Sequence, residues 1–248
     1  MREAKPARRH CFAARQATKY EHESIYMLKN VELVSEMYLR LPRELRNRVY
    51  TFCVQGSYDN EVIVRRAMAN KKSFSLLIRE ATGAHSYQWL EDPIASYLNE
   101  KQVGLDVARE MLESYYWTKT FKFSHHELRL LGTFLETDKF GLGMIPANYV
   151  RRIRLQVQPF AIALLHGPET RDVEQQRCKK AMEALAAIHT ARTEVDVEVD
   201  LAHDSLDDVN YKRSSDDAIH FLLKTVQDLN RSKDRGLHMK TTFNSTWI

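Results

Sequence analysis

Two short runs constrain this chain more than any other feature. Arg152-Ile153-Arg154-Leu155-Gln156-Val157 and Glu194-Val195-Asp196-Val197-Glu198-Val199-Asp200-Leu201 alternate strictly between charged or amide side chains and apolar ones. A period of two belongs to a β-strand, whose successive side chains point to opposite faces, so each run has one dry face and one wet face. Strands buried on both faces read instead as continuous apolar runs. The sheet that holds these two is therefore expected to be covered on one side only.

The runs sit in a β/α succession. Strand-like segments at 118–124, 150–158, 193–201 and 237–243 begin 32, 43 and 44 residues apart. Helical stretches separate them: 125–138 (Leu128, Leu131, Leu135), 171–190 (Cys178, Ala181, Met182, Leu185, Ile188) and 215–235 (Ile219, Leu222, Leu223, Val226, Leu229). The last carries a capping box at Ser214 and Asp217 and a stop at Gly236. Crossovers through helices make successive strands parallel, and the uneven spacing excludes a strict repeat. The expected body is a two-layer, leucine-rich-repeat-like β/α sheet with one exposed face.

If sequential strands are neighbours, Arg152 and Arg154 stand beside Glu194, Asp196 and Glu198 on the wet face. Opposite charges across strands stabilise a sheet by roughly 0.2–1 kcal/mol per pair, so the first reading is a ladder that holds the sheet. The functional reading is a partner-binding face flanked by Lys122, His238 and Lys240. Carboxylates in line along a strand do not enclose a cation, which argues against calcium.

Upstream, Leu41 to Cys53 reads as a helix, with Pro42 at its first position and Glu44 in its first turn. Leu45, Val49 and Phe52 or Cys53 fall on one face, and Arg43, Arg46 and Arg48 on a face expected to be solvated. Residues 61–65 and 73–79 read as short strands, or as one strand and a helical turn. A helix over 103–116 carries Val103, Val107, Met111 and Tyr115, widened by Ala108 and Leu112.

Catalytic signatures are missing. The chain has only 8 glycines in 248 residues, which disfavours a sandwich of many short strands and lets the phosphate-binding loops be tested one by one. No glycine precedes a lysine, so there is no Walker A loop. The one GxG, Gly141 to Gly143, has Pro146 where a dinucleotide fingerprint needs glycine. No two glycines are four apart, which excludes a GxSxG nucleophile elbow. His126-Glu127 lacks the second histidine of a zincin, since Leu130 stands there. Cys11, Cys53 and Cys178 form no CxxC pair, and Cys53 and Cys178 are expected as small core residues. No catalytic residue, cofactor or metal ligand is therefore assigned.

The net charge of +4 is uneven. Residues 1–20 hold Arg2, Lys5, Arg8, Arg9, Arg15 and Lys19 against Glu3 alone, whereas the remainder is nearly balanced. Residues 1–20 are expected to be a disordered basic arm and 21–248 one globular domain. No apolar run suits a secretory signal or a membrane span, so the expected location is cytoplasmic or nuclear.

The string LPRELRNRVY at 41–50, followed by VGLDVAREMLESYY, WTKTFKF, FLETDKFGLG and YVRRIRLQV, resembles a large group of fungal F-box-like proteins that open on LPxELRxxIY. The resemblance covers about residues 40–158. It implies an F-box-like helical part over 40–117 ahead of the β/α part at 118–248, and a protein-interaction module without known catalysis. It also implies docking on a Skp-type adaptor through Leu41, Pro42, Leu45 and Val49. The alternative is that Leu45 and Val49 pack into the body's own core.

Three functions follow as expectations. The first is a non-enzymatic interaction protein with a protein partner. The second is weak, salt-sensitive nucleic-acid association through the basic arm, aided by Arg151, Arg152 and Arg154. The third is an enzyme whose site is assembled from scattered residues.

Overall fold

The computed structural model describes residues 32–55, 60–67, 73–81, 87–158, 168–189, 193–200, 227 and 237–244. The basic arm, Cys11 and, apart from residue 227, the helix expected at 215–235 lie outside the described residues. In chain order the elements are α1 (residues 32–40), α2 (Arg43–Gln55), β1 (Glu61–Arg66), β2 (Phe74–Ala81), β3 (Tyr87–Glu91), α3 (Ile94–Tyr97), α4 (Glu100–Val103), α5 (Leu105–Thr118) and β4 (Thr120–Phe123). Then come a 3₁₀ turn (His125–Glu127), α6 (Leu130–Glu136), β5 (Arg152–Val157), α7 (Pro168–Ala184), β6 (Glu194–Asp200) and β7 (His238–Asn244).

The protein is mixed α/β, built on a seven-stranded mixed sheet of order β3-β2-β1-β4-β5-β6-β7. β1, β4, β5, β6 and β7 run parallel, each beside its predecessor in that series. The four strands expected from alternation are these last four, with ends shifted by one or two residues. β2 and β3 extend the sheet as an antiparallel meander on β1. The segment expected to be helical, 40–117, thus supplies three strands as well as helices. β3 escapes a pattern reading because it is five residues long and almost wholly exposed, with no dry side to reveal a period of two.

The dry face of the sheet makes the core. Val62, Val64, Leu76, Ile78, Phe121, Phe123, Ile153, Leu155, Val157, Val195, Val197 and Val199 are all buried on it. Against them lie Val107, Ala108, Met111, Leu112 and Tyr115 of α5, Leu131, Phe134 and Leu135 of α6, and Cys178, Ala181 and Met182 of α7. Phe134 is a hub, with its ring centroid 4.9 Å from Phe121, 5.5 Å from Phe123 and 5.6 Å from Phe74. Full burial of such a side chain contributes roughly 1.5–3 kcal/mol, which makes the dry face the main source of stability.

The FLETDKFGLG string has a local structural cause. Asp138 Oδ1 accepts from the Gly141 amide at 3.0 Å and Oδ2 from Gly143 at 2.6 Å, and both glycines take positive φ, 72° and 74°. That left-handed backbone is cheap only for glycine. Arg109 Nε donates to the Leu142 carbonyl at 3.0 Å, and Lys139 Nζ to the Phe74 carbonyl at 2.7 Å. This part of the motif ties α5 and β2 together.

Candidate functional site

α2 is held to the body by its charged side. Arg46 Nε and Nη2 donate to the two carboxylate oxygens of Glu110 on α5 at 2.9 and 2.8 Å, a bidentate fork. Its Nη1 donates to the carbonyls of Leu41 at 2.7 Å and Tyr38 at 3.1 Å, and its guanidinium lies 4.5 Å from the Tyr38 ring centroid. One arginine thereby joins the end of α1, the turn after it and α5. Arg43 pairs with Glu110 and donates to Glu113 Oε2 at 2.6 Å. Glu110 is only 7% exposed. Burial pushes its carboxyl upward, but the bonds from Arg46 and Arg43 outweigh that and hold it below the usual carboxylate range. Tyr50 and Val54 complete the buried side of the helix, and Thr51 Oγ1 shares a 3.2 Å hydrogen bond with Ser114 Oγ.

The apolar stripe consequently points outward. Leu45 is 44%, Val49 38% and Phe52 82% exposed. Leu41 is half-buried and Pro42 exposed. This corrects two expectations. Arg43 and Arg46 are not a solvated face, because α5 offers them Glu110 and Glu113; only Arg48 of the three is exposed. Cys53 is exposed and not a core residue, unlike Cys178, because it lies on the outward side of the same helix. The alternative that Leu45 and Val49 fill the body's own core is not what the helix does.

The wet face of the sheet is the second candidate. One row runs through all seven strands in register: Glu91, Leu77, Ile63, Lys122, Arg154, Asp196 and Lys240. The next row along the strands sets Thr120, Arg152, Glu194 and His238 side by side. The expected adjacency of the basic and acidic rows is thus present residue by residue. At its centre the charges satisfy one another. Arg154 pairs with Glu61 across β4, and its Nε lies 3.4 Å from Asp196 and 3.3 Å from Glu198. Lys122 Nζ lies 4.0 Å from both Glu61 and Glu198. Gln156 donates to Glu198 at 3.2 Å and Thr242 to Asp196 at 3.4 Å.

The margin of this face differs from its centre. Arg152, Glu194, His238 and Lys240 are exposed, and among the described residues none has an ion pair or a side-chain hydrogen bond. With Thr120, Arg154 and Asp196 they line a groove of about 650 Å³ over the first residues of β5, β6 and β7. At the opposite margin Tyr87 and Trp89 pack edge to face at 5.4 Å, and Arg79 caps Tyr87 at 4.0 Å.

The cations proposed for phosphate contacts do not act together. Arg151 lies 5.1 Å from the Trp117 ring centroid, Arg154 is neutralised, and of the three only Arg152 stays on the open face without a partner among the described residues. Pattern reading also missed Glu110, Glu113 and Tyr50. A signal for the first two exists, since Arg43 and Arg46 are spaced i, i+3 and so are Glu110 and Glu113, which suits two ion pairs between facing helices.

His125 is buried at the C-terminal end of β4. Burial first, then His126 and Arg177, lower its pKa to about 4, and its Nδ1 accepts from the Gln158 amide at 3.3 Å. It is a neutral structural imidazole. Among the described residues no group of three or more His, Cys, Asp or Glu side chains is arranged to hold a metal ion, and no helix is long and apolar enough to cross a membrane. Comparison of the chain with protein-family models, with curated proteins and with solved structures returned no match.

Proposed function

We propose that this chain is a non-enzymatic protein-interaction module of the F-box-like kind, with α2 as the element that docks a Skp-type adaptor and a leucine-rich-repeat-like β/α body behind it. The supporting observation is the outward stripe Leu45, Val49 and Phe52 on a helix whose opposite side is clamped by Glu110. Three apolar side chains on adjacent turns of an anchored helix form the anchor pattern by which helices dock on partners. The clamp also removes the ordering cost that a loose helix would meet on binding. Such a module would work in the cytoplasm or nucleus.

The test is a pull-down with a Skp adaptor, comparing the parent with Leu45→Asp/Val49→Asp. Because both positions are substantially exposed, the double variant is expected to remain folded, losing no more than about 1 kcal/mol in urea unfolding. Adaptor binding is expected to fall at least tenfold, roughly 1.4 kcal/mol or more. A folded double variant that binds the adaptor as well as the parent would overturn the reading.

A further inference from the structure

We propose that the β7 margin of the open sheet face is a docking groove for an extended acidic peptide. It is a different surface from α2 and does not depend on adaptor docking there.

The inference starts from the contrast within the wet face. At the centre Lys122 and Arg154 are both engaged by the three carboxylates Glu61, Asp196 and Glu198, so no cation there is left over for a ligand. At the margin Arg152 and Lys240 remain without ion pairs among the described residues, beside His238 and a single similarly unpaired carboxylate, Glu194. The margin, with Arg152 and Lys240 against Glu194, is therefore the basic part of a face whose centre has no spare cation. It is also the part that is concave. The groove of about 650 Å³ falls within the roughly 300–1,000 Å³ of ordinary ligand sites.

Spacing selects the form of the ligand. His238 and Lys240 stand two residues apart on one side of β7, about 6.7 Å along the strand, which is also the distance between alternate side chains of an extended peptide. A segment lying along β7 with acidic residues at alternate positions sets one carboxylate at each. Arg152 lies two strands away in the row of His238, about 9.5 Å across the sheet, within reach of a third acidic group.

The same observations disfavour a nucleic acid. Glu194 stands between Arg152 and His238 in the row, where a phosphate chain would present charge at every step but a peptide can present a hydroxyl or an amide N–H. Base stacking needs aromatic platforms, and the described lining has no Phe, Tyr or Trp.

The experiment uses the full chain and a fluorescein-labelled peptide of about six residues alternating Glu and Ser, read by fluorescence anisotropy at about 50 mM salt, where such charges are least screened. Arg152→Glu/Lys240→Glu is expected to weaken binding by about tenfold or more, and Glu194→Gln to tighten it severalfold. Arg48→Glu, a charge reversal of equal kind on α2, is expected to change nothing. All four positions are exposed, and matching circular dichroism and melting temperature verify that the variants are folded. Four outcomes would each overturn the proposal: no binding by the parent, equal binding of the Gln/Ser counterpart, an unchanged affinity in the double variant, or an equal loss from Arg48→Glu. Tighter binding of a single-stranded oligonucleotide of the same charge, lost in the same double variant, would assign the groove to nucleic acid and overturn it as well.

Discussion

α2 and the central sheet are both amphipathic, yet the sheet turns its apolar stripe to the protein and α2 turns its own apolar stripe away. The sheet buries valine, leucine, isoleucine and phenylalanine and leaves arginine, lysine and glutamate to solvent. α2 buries Arg46 on Glu110 beside Tyr50 and Val54 and leaves the apolar stripe Leu45, Val49 and Phe52 outside. The difference lies in what each surface meets. Across the dry face, α5, α6 and α7 offer apolar side chains, and an unpaired charge there would cost several kcal/mol. α2 meets a flank of α5 that carries Glu110, Glu113 and Ser114, where guanidinium groups fit better than leucine. Amphipathicity reports that an element has two sides, and the neighbour decides which one is inside.

That comparison can be broken most forcefully on the sheet. Val197 and Asp196 are adjacent on β6, with Val197 fully buried and Asp196 half-exposed in the charge network. Val197→Asp is expected to cost more than about 4 kcal/mol and leave little folded protein, whereas Asp196→Asn should cost at most about 1 kcal/mol. Urea unfolding of the two variants measures both, and similar losses would show that the faces are not as different as their burial implies.

A smaller effect is expected at the clamp. Glu110→Gln leaves Arg46 and Arg43 facing an uncharged amide on a mostly buried site. The expected cost is about 3 kcal/mol, toward the low end of what breaking a buried ion pair costs because Arg43 remains partly exposed. Loss of α2 amide protection in hydrogen exchange, with the sheet still protected, would show that the charged side alone attaches this helix. A cost under about 0.5 kcal/mol would mean that Tyr50 and Val54 attach it instead.

The smallest effect sharpens the comparison with a third kind of site, a polar group near the dry side with no ion pair. His125 is neutral when folded, with its pKa lowered to about 4 from the ordinary 6.5. Between those values the unfolded chain binds the extra proton, so its contribution to stability is full above about pH 6.5 and is lost as pH falls toward 4. Between pH 7 and pH 5 it amounts to about 2 kcal/mol. His125→Asn should flatten that part of the pH profile, and an unchanged slope would count against a buried neutral imidazole. Glu110 acts in a more acidic window. Its lowered pKa contributes stability above the usual carboxylate range that is lost as pH falls through it.

Much of the sheet could be read directly from residues. The alternation of β5 and β6 contains the facing of their side chains, since a slip of one residue would put Arg154 into the core and Leu155 into water. The order β4-β5-β6-β7 follows from the tendency of sequential strands to lie beside one another. β3 could not be read that way, because an exposed edge strand of five residues needs no periodic pattern. The pairing of β1 with β4, across an intervening meander and three helices, is equally invisible to local sequence. On α2 the helix and its two sides were legible, but not which side was inside.

Local chemistry by itself thus determined the alternating strands, the main helices, their two-sidedness and the charge rows of the open face, because side-chain period is a short-range property. Only the tertiary structure decided that α2 shows its apolar side, that Lys122 and Arg154 are neutralised by Glu61 from another strand, and that Arg152, His238 and Lys240 border a groove. Each of those outcomes depends on groups from two or more separate elements, and the energy of a charge or an apolar side chain is set by what stands opposite it.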